Sequence, residues 1–247
     1  MRIATMILCK YMEDYLVRVA RECCKYSEIV LVMNSKSDWP GIINPIEDMT
    51  EHVFKSEFDN CQVQLVRGTW TTEEHQRNVG LEMLSEFNFV MIVEADEFLL
   101  EDDFKLFHDM LDGRHDAYLA KPMLEYWKDE NHILDPLRTY EPIIAVNPRK
   151  AKFYDKRCAS VRQERFRQCP IDIHHMSYCF PDFKMKWKMQ NWWDSNNGRI
   201  NYNWYEEKWL KWDNDKGIDG LYMSHPEWGT KAVPCVPPVA LIDALKK

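Results

Sequence analysis

The hydrophobic pattern divides the chain into a regular first half and an irregular second half. RIATMILC (2–9) is a nearly unbroken apolar run that reads as a buried strand. EDYLVRVARECCKY follows with apolar residues at helical spacing, at Leu16, Val19, Ala20 and Cys23. EIVLVM (28–33) predicts a second strand ending at Asn34-Ser35, and the loop after it carries Trp39, Pro40 and Gly41. CQVQLVRG (61–68) alternates as a third strand. TTEEHQRNVGLEMLSEF (71–87) predicts a helix opened by a capping box, Thr71 with Glu74, whose apolar face holds Val79, Met83 and Phe87. FNFVMIV (87–93) is the fourth strand, and EDDFKLFHDMLDG (101–113) a short amphipathic helix.

Fully apolar strands that alternate with helices predict an α/β fold with a mostly parallel, Rossmann-like sheet covered on both faces. Ligands of such sheets lie beyond the carboxyl ends of the strands. Those ends are Cys9-Lys10, Asn34-Ser35, Arg67-Gly68 and Glu94-Ala95-Asp96, so polar and charged groups collect where a site is expected.

Beyond about residue 115 the alternation fades. DAYLAKPMLEYW and EPIIAVNP read as strands, WYEEKWLKW as a helix, and the remainder is aromatic, basic and irregular. FKMKWKMQNWW alternates lysines with apolar residues, which reads as a strand with one basic face, an edge strand guarded by Lys184, Lys186 and Lys188. The expected organisation is one domain over 1–247, a regular half (1–115) followed by an aromatic-rich half (116–247).

Composition refines this picture. Charged residues make up 29% and hydrophobic ones 45%, an ordinary globular balance. The eight cysteines form no CxxC pair, which argues against a structural zinc site. The apolar run at the N-terminus is too short for a membrane span, and with reduced thiols it predicts a cytoplasmic location without a transmembrane segment. A net charge of −8 excludes general nucleic-acid binding by the whole surface. Residues 149–188 nonetheless hold eleven Lys or Arg against four Asp or Glu, a basic region that keeps a nucleic-acid-binding or DNA-modifying protein as an alternative.

The chemistry centres on FVMIVEADEFLL, where an apolar strand runs into Glu94, Asp96 and Glu97. A buried carboxylate requires a positive partner. On a strand Glu94 and Asp96 would project together, two oxygen ligands suited to a hard divalent cation that also holds phosphate oxygens. A solvated turn has the same residue pattern. Glu97 and the acidic residues after it read as structural.

RGTWTTEEHQRNVGLEML followed by FNFVMIVEADEFLL resembles the family 2 glycosyltransferases of the GT-A fold, with Arg77-Asn78 on the helix and a DxD-type motif as Glu94-Ala95-Asp96. The opening RIATMILCKYMEDYL and the strand IVLVMNS are similar to that family's start, so the resemblance covers about residues 1–110. It implies a GT-A glycosyltransferase, inverting in the sense of a single displacement, that moves a sugar from a nucleotide sugar, UDP-sugar foremost, with Mn²⁺ or Mg²⁺, and has a nucleotide-sugar-binding half (1–115) and an acceptor-binding half (116–247). It further implies Asp96 as metal ligand and Glu94 at the ribose or metal. Arg77 and Asn78 would lie near the donor, with Cys9, Lys10, Glu13, Asn34 and Ser35 bordering the nucleobase. His175 in His-Met-Ser-Tyr resembles a late metal ligand of that family, with His174 beside it and His225 in reserve. Glu125 and Asp172 are the candidate catalytic bases, with Asp129 and Glu130 nearby, and Trp127 or Trp39 could stack on a sugar. The acceptor stays open between glycan, protein and modified DNA, and so does the oligomeric state. A nucleotidyltransferase is the competing enzyme, although CKYMED lacks the glycines of a phosphate loop. A non-catalytic carbohydrate-binding protein is the remaining reading.

Overall fold

The computed structural model describes residues 1–36, 48–58, 62–155, 157–191, 203–213, 218–221 and 231–246. Four apolar segments form β1 (Ile3–Cys9), β2 (Ile29–Ser35), β3 (Val63–Gly68) and β4 (Phe89–Glu94). They pair in parallel in the order β4-β1-β2-β3. The sheet then extends beyond β4 through β9 (Ile143–Val146), β6 (Ala117–Leu119) and β12 (Phe166–Gln168), making seven strands. The β4–β9 and β6–β9 pairs are antiparallel, so the sheet is mixed. This is a Rossmann-like α/β fold with helices flanking a large central sheet.

Both faces of the sheet are buried, which is why its strands read as continuous apolar runs. Ile3, Ile7 and Cys9 of β1 pack with α1 (Glu13–Cys24) and with Phe104 and Phe107 of α4 (Glu101–Met110). Ala4, Met6 and Leu8 face the other core, with Leu81 of α3 (Glu73–Met83). The buried face of α3 is Gln76, Arg77, Gly80 and Leu81; of the expected face, Phe87 is buried and Val79 packs against the same core, whereas Met83 is exposed. Gly80 permits this close approach, because a Cβ there would meet Met6 Sδ at 2.1 Å. The helix cap also moves by one residue: Thr72 accepts from His75 N, and Thr71 instead contacts the His75 ring.

A second, five-stranded sheet is built by the irregular half. Its order is β14 (Lys231–Pro234), β8 (Asp129–Asp135), β7 (Leu124–Trp127), β13 (His174–Tyr178) and β5 (Glu97–Phe98). A small hairpin joins β10 (Phe153–Asp155) to β11 (Cys158–Ala159). The tryptophans of this half form core: Trp127 is fully buried and meets Trp204, Trp209 and Trp212 edge-on. Trp127 is therefore not a sugar platform. The segment expected as a lysine-guarded edge strand is instead a helix, α5 (Asp182–Asn191). Helical spacing buries Lys184 and Lys188 on one side and leaves Lys186 exposed. WYEEKWLKW contains a π-helical turn, Tyr205–Trp209. No helix among the described residues is long and apolar enough to cross a membrane.

Candidate metal centre

The strand order reverses between β1 and β4, and the crevice at such a switch point is where ligands of open α/β sheets bind. Leu8 pairs with Glu94 and Cys9 with Asn34, so the ends of β1, β2 and β4 share this edge. Immediately after β4 the chain turns through Ala95-Asp96 and re-enters the second sheet as β5. There Glu97 pairs with His175 of β13, and His175 pairs in turn with Glu125 of β7. One row across the second sheet thus sets Glu97, His175 and Glu125 side by side at the edge of the first.

Glu94, Asp96 and His175 each bring a ligand atom within 4.8 Å of the other two. His175 Nε2 lies 3.6 Å from Asp96 Oδ1, and Nδ1 lies 3.3 Å from Glu125 Oε1. Lys188 Nζ approaches Asp96 Oδ2 at 3.5 Å while donating to Ser177 O and Oγ at 2.9 Å each. Glu94 Oε1 accepts from Arg77 at 2.8 Å, with Arg157 Nε at 3.6 Å. Arg157 also donates to Glu97, whose Oε2 accepts from Glu94 N. Arg77 is fully buried and bridges Glu73 to Glu94.

These charges set the protonation of the site. Burial alone would raise the Asp96 pKa, but His175 and Lys188 outweigh it and hold the carboxyl well below its usual range. Burial raises Glu94 as well, and Arg157 and Arg77 overcome that, so it too is held low. His175 responds in the opposite sense: burial would lower it, but Asp96 and Glu125 push it up to about 10. Burial dominates at Glu97 and raises its pKa despite Arg157.

The donor set of two carboxylates and one imidazole fits a divalent cation such as Mg²⁺ or Mn²⁺. The far nitrogen of His175 is already held by a carboxylate, the arrangement that orients histidine ligands in metal sites.

The other expected site residues divide into four groups. Lys10, Asn34 and Ser35 lie at the same strand edge: Lys10 donates to Ser35 O at 3.1 Å, and Asn34 donates to Cys9 O and Asp48 while accepting from Arg67. Cys9 is buried with its thiol 3.6 Å from the Thr50 hydroxyl, and Asn78 is committed to both backbone groups of Phe153. Two residues are not brought to the cluster. His174 alternates to the other face of β13, where Nδ1 meets Tyr126 Oη at 2.9 Å, so it is not a ligand of this cluster. Asp172 pairs with Lys121 at 2.9 Å beside a cleft of about 700 Å³ that His174 also lines, and cannot serve as base here. Asp129 is engaged by His132. The Glu13 side chain, Trp39 and His225 lie outside the described residues. Arg138, Arg157 and Lys188 were missed as site residues; Arg157 and Lys188 stood within the basic 149–188 region, and Arg138 stood in no segment singled out by pattern.

The basic 149–188 region does not form one face. Arg149 caps Ser85 and Glu86 carbonyls, Lys150 and Arg165 hold Asp116, Arg167 holds Asp112, and Arg157 is buried. A nucleic-acid surface built on that stretch is not supported by these placements.

No protein-family model matches the chain, and no curated protein matches it. Solved structures do. The 4-diphosphocytidyl-2C-methyl-D-erythritol synthase of Anaerococcus prevotii is similar at 14% identity, covering 74% of this chain and 93% of that one, with a TM-score of 0.45. HddC of Yersinia pseudotuberculosis, complexed with GMP-PN, is similar at 12% identity, covering 75% and 97%, with a TM-score of 0.45. These neighbours are nucleotidyltransferases and not glycosyltransferases, so the expected glycosyltransferase activity is withdrawn; at these scores the likeness is one of fold alone.

Burial lowers the His174 pKa to about 4, so this ring is neutral in the fold. An unfolded chain takes up that proton near pH 6.5. The stabilisation is therefore present above about 6.5 and is lost as pH falls from there through about 4. Urea unfolding at pH 7 and pH 5 should show a fall in stability that is smaller by about 2 kcal/mol in His174→Gln. Parallel losses in both proteins would show that His174 does not carry the acid limb.

Proposed function

We propose that the protein is a divalent-cation-dependent nucleotidyltransferase that couples a nucleoside triphosphate to a phosphate-bearing acceptor. The observation that carries this reading is the convergence of Glu94, Asp96 and His175 at the switch point of the sheet. A bound Mg²⁺ or Mn²⁺ would supply positive charge to the phosphate oxygens of the nucleotide. Asp96 and Glu94, both held ionised, would hold it, with the imidazole of His175 as third ligand. Lys188, anchored on Ser177, would add a fixed positive charge beside the phosphates.

The acceptor class follows from what the described carboxylates are doing. Glu94, Asp96, Glu97 and Glu125 are each engaged by a cationic side chain, so none is set aside as a general base. An acceptor hydroxyl needs such a base, whereas a phosphate monoester is already ionised at neutral pH. Its oxygen would attack the α-phosphorus, the bond to the β-phosphate oxygen would break, and pyrophosphate would leave with the bonding electrons. No proton has to be removed from the acceptor.

The reverse reaction tests this without knowledge of the acceptor. Incubation with a panel of nucleotide sugars, UDP-sugars included, plus Mg²⁺ and pyrophosphate should yield the nucleoside triphosphate and a sugar phosphate. Release of nucleoside diphosphate without pyrophosphate, or no nucleotide product from any member, would overturn the reading.

A further inference from the structure

Glu125 had the position of a base in the sequence, but its surroundings give it a different task. Its carboxylate is nine-tenths or more buried in a parallel pair with His175. Oε1 receives both Arg138 Nη2 and His175 Nδ1, and Oε2 is buried without a hydrogen-bond partner. Oε1, the oxygen on the His175 side, is thus already committed to two protein donors. Arg138 arrives from the segment after β8 and also touches Met123 Sδ at 3.5 Å, so the guanidinium is fixed between β7 and its own loop.

Taken along the row, Arg138 fixes Glu125, Glu125 fixes Nδ1 of His175, and the ring then presents Nε2 to Asp96. A metal-bound imidazole has given up the proton of its ligating nitrogen and keeps the one on the other nitrogen. With Nδ1–H donated to a carboxylate, the lone pair is left on Nε2, the atom that faces the two acidic ligands. We infer that Glu125 and Arg138 are positioning residues that select the tautomer and orientation of His175 for cation binding, and that Glu125 is not the catalytic base. This rests on the cation reading of the Glu94–Asp96–His175 cluster.

The experiment is a Mn²⁺ titration followed by the free-ion electron paramagnetic resonance signal, on wild type, D96N, E125Q and R138K. Outer partners of metal-bound histidines contribute roughly 10–100-fold to affinity, and E125Q should weaken Mn²⁺ binding by that factor. R138K keeps a charge but loses the planar fork, and should weaken binding several-fold. A second readout is the ¹⁵N shift of His175 in Mg²⁺-loaded protein. It should report one Nδ1–H tautomer in wild type and R138K. In E125Q it should report a mixture, because Gln offers Nδ1 either an acceptor or a donor.

The outcomes separate the two claims. If D96N binds Mn²⁺ as wild type does, the cation reading fails and the positioning claim fails with it. If D96N loses binding but E125Q keeps wild-type affinity and a single tautomer, the cluster stands and the positioning claim is overturned. Loss of turnover in E125Q at unchanged Mn²⁺ affinity would return Glu125 to the role of base. Should E125Q not fold, R138K decides: wild-type affinity there overturns the proposal, and several-fold loss supports it.

Discussion

Asp96→Asn should abolish cation-dependent nucleotide binding, with Mn²⁺ affinity down at least about 100-fold. The size follows from the site. Asp96 is the ligand held most firmly as an anion, buried between His175 and Lys188. Asn keeps the side-chain shape but supplies a neutral oxygen, a far weaker partner for a hard cation. It also leaves Lys188 facing the position the cation needs with one carboxylate fewer to balance it. The control is Glu97→Gln, one residue away. Glu97 is held by Arg157 and by Glu94 N, so this change should disturb stability more than cation affinity. Calorimetric titration of Mn²⁺ into both variants, with and without a nucleoside triphosphate, distinguishes them. Equal loss in the two would mean that the acidic turn acts through general charge and that no defined ligand set exists.

The parts of this site that were legible in the sequence are those fixed by local pattern. β1, β2 and β4 are buried on both faces, so their apolar runs announce them, and the residues at their ends are placed by simple counting. Glu94 and Asp96 came with that placement. The pattern misled at α5, where Lys184 and Lys188 are four apart, a spacing that brings two residues to the same side in a strand and in a helix alike. Only Lys186 distinguishes the two, and its exposure settles for a helix. His174 and His175 could not be separated either, because the strand period guarantees that one faces the site without saying which. Register against Glu97 and Glu125 makes the choice. Arg157 lies 60 residues from Glu97, and no local signal joins them. The positive partners that the structure shows for the acidic turn are therefore protein groups, Arg77, Arg157, His175 and Lys188, and the cation that the pattern anticipated is proposed beside them.

Arg157 is where that long-range pairing should be felt most in stability. It is buried, donates to Glu97 and to Ile92 O, and stands 3.6 Å from Glu94 Oε1. Replacing it with Met preserves much of the volume and removes the charge. Glu97 would then be a buried carboxylate with no cation against it and Glu94 nearby, and its pKa, already raised by burial, would rise further. Removing one partner of a buried pair costs about 3–5 kcal/mol, and urea unfolding of Arg157→Met at pH 7 should show a loss of that size. Because the cost comes from the stranded charge, two conditions should relieve it. Adding Glu97→Gln should recover part of the loss, since a neutral amide needs no counter-charge. Lowering the pH should narrow the gap to wild type, because Glu97 in the variant binds its proton at a higher pH than the unfolded chain does. A loss below about 1 kcal/mol at pH 7, or a gap that widens in acid, would mean that Glu97 is protonated in the native protein and that Arg157 packs without neutralising it.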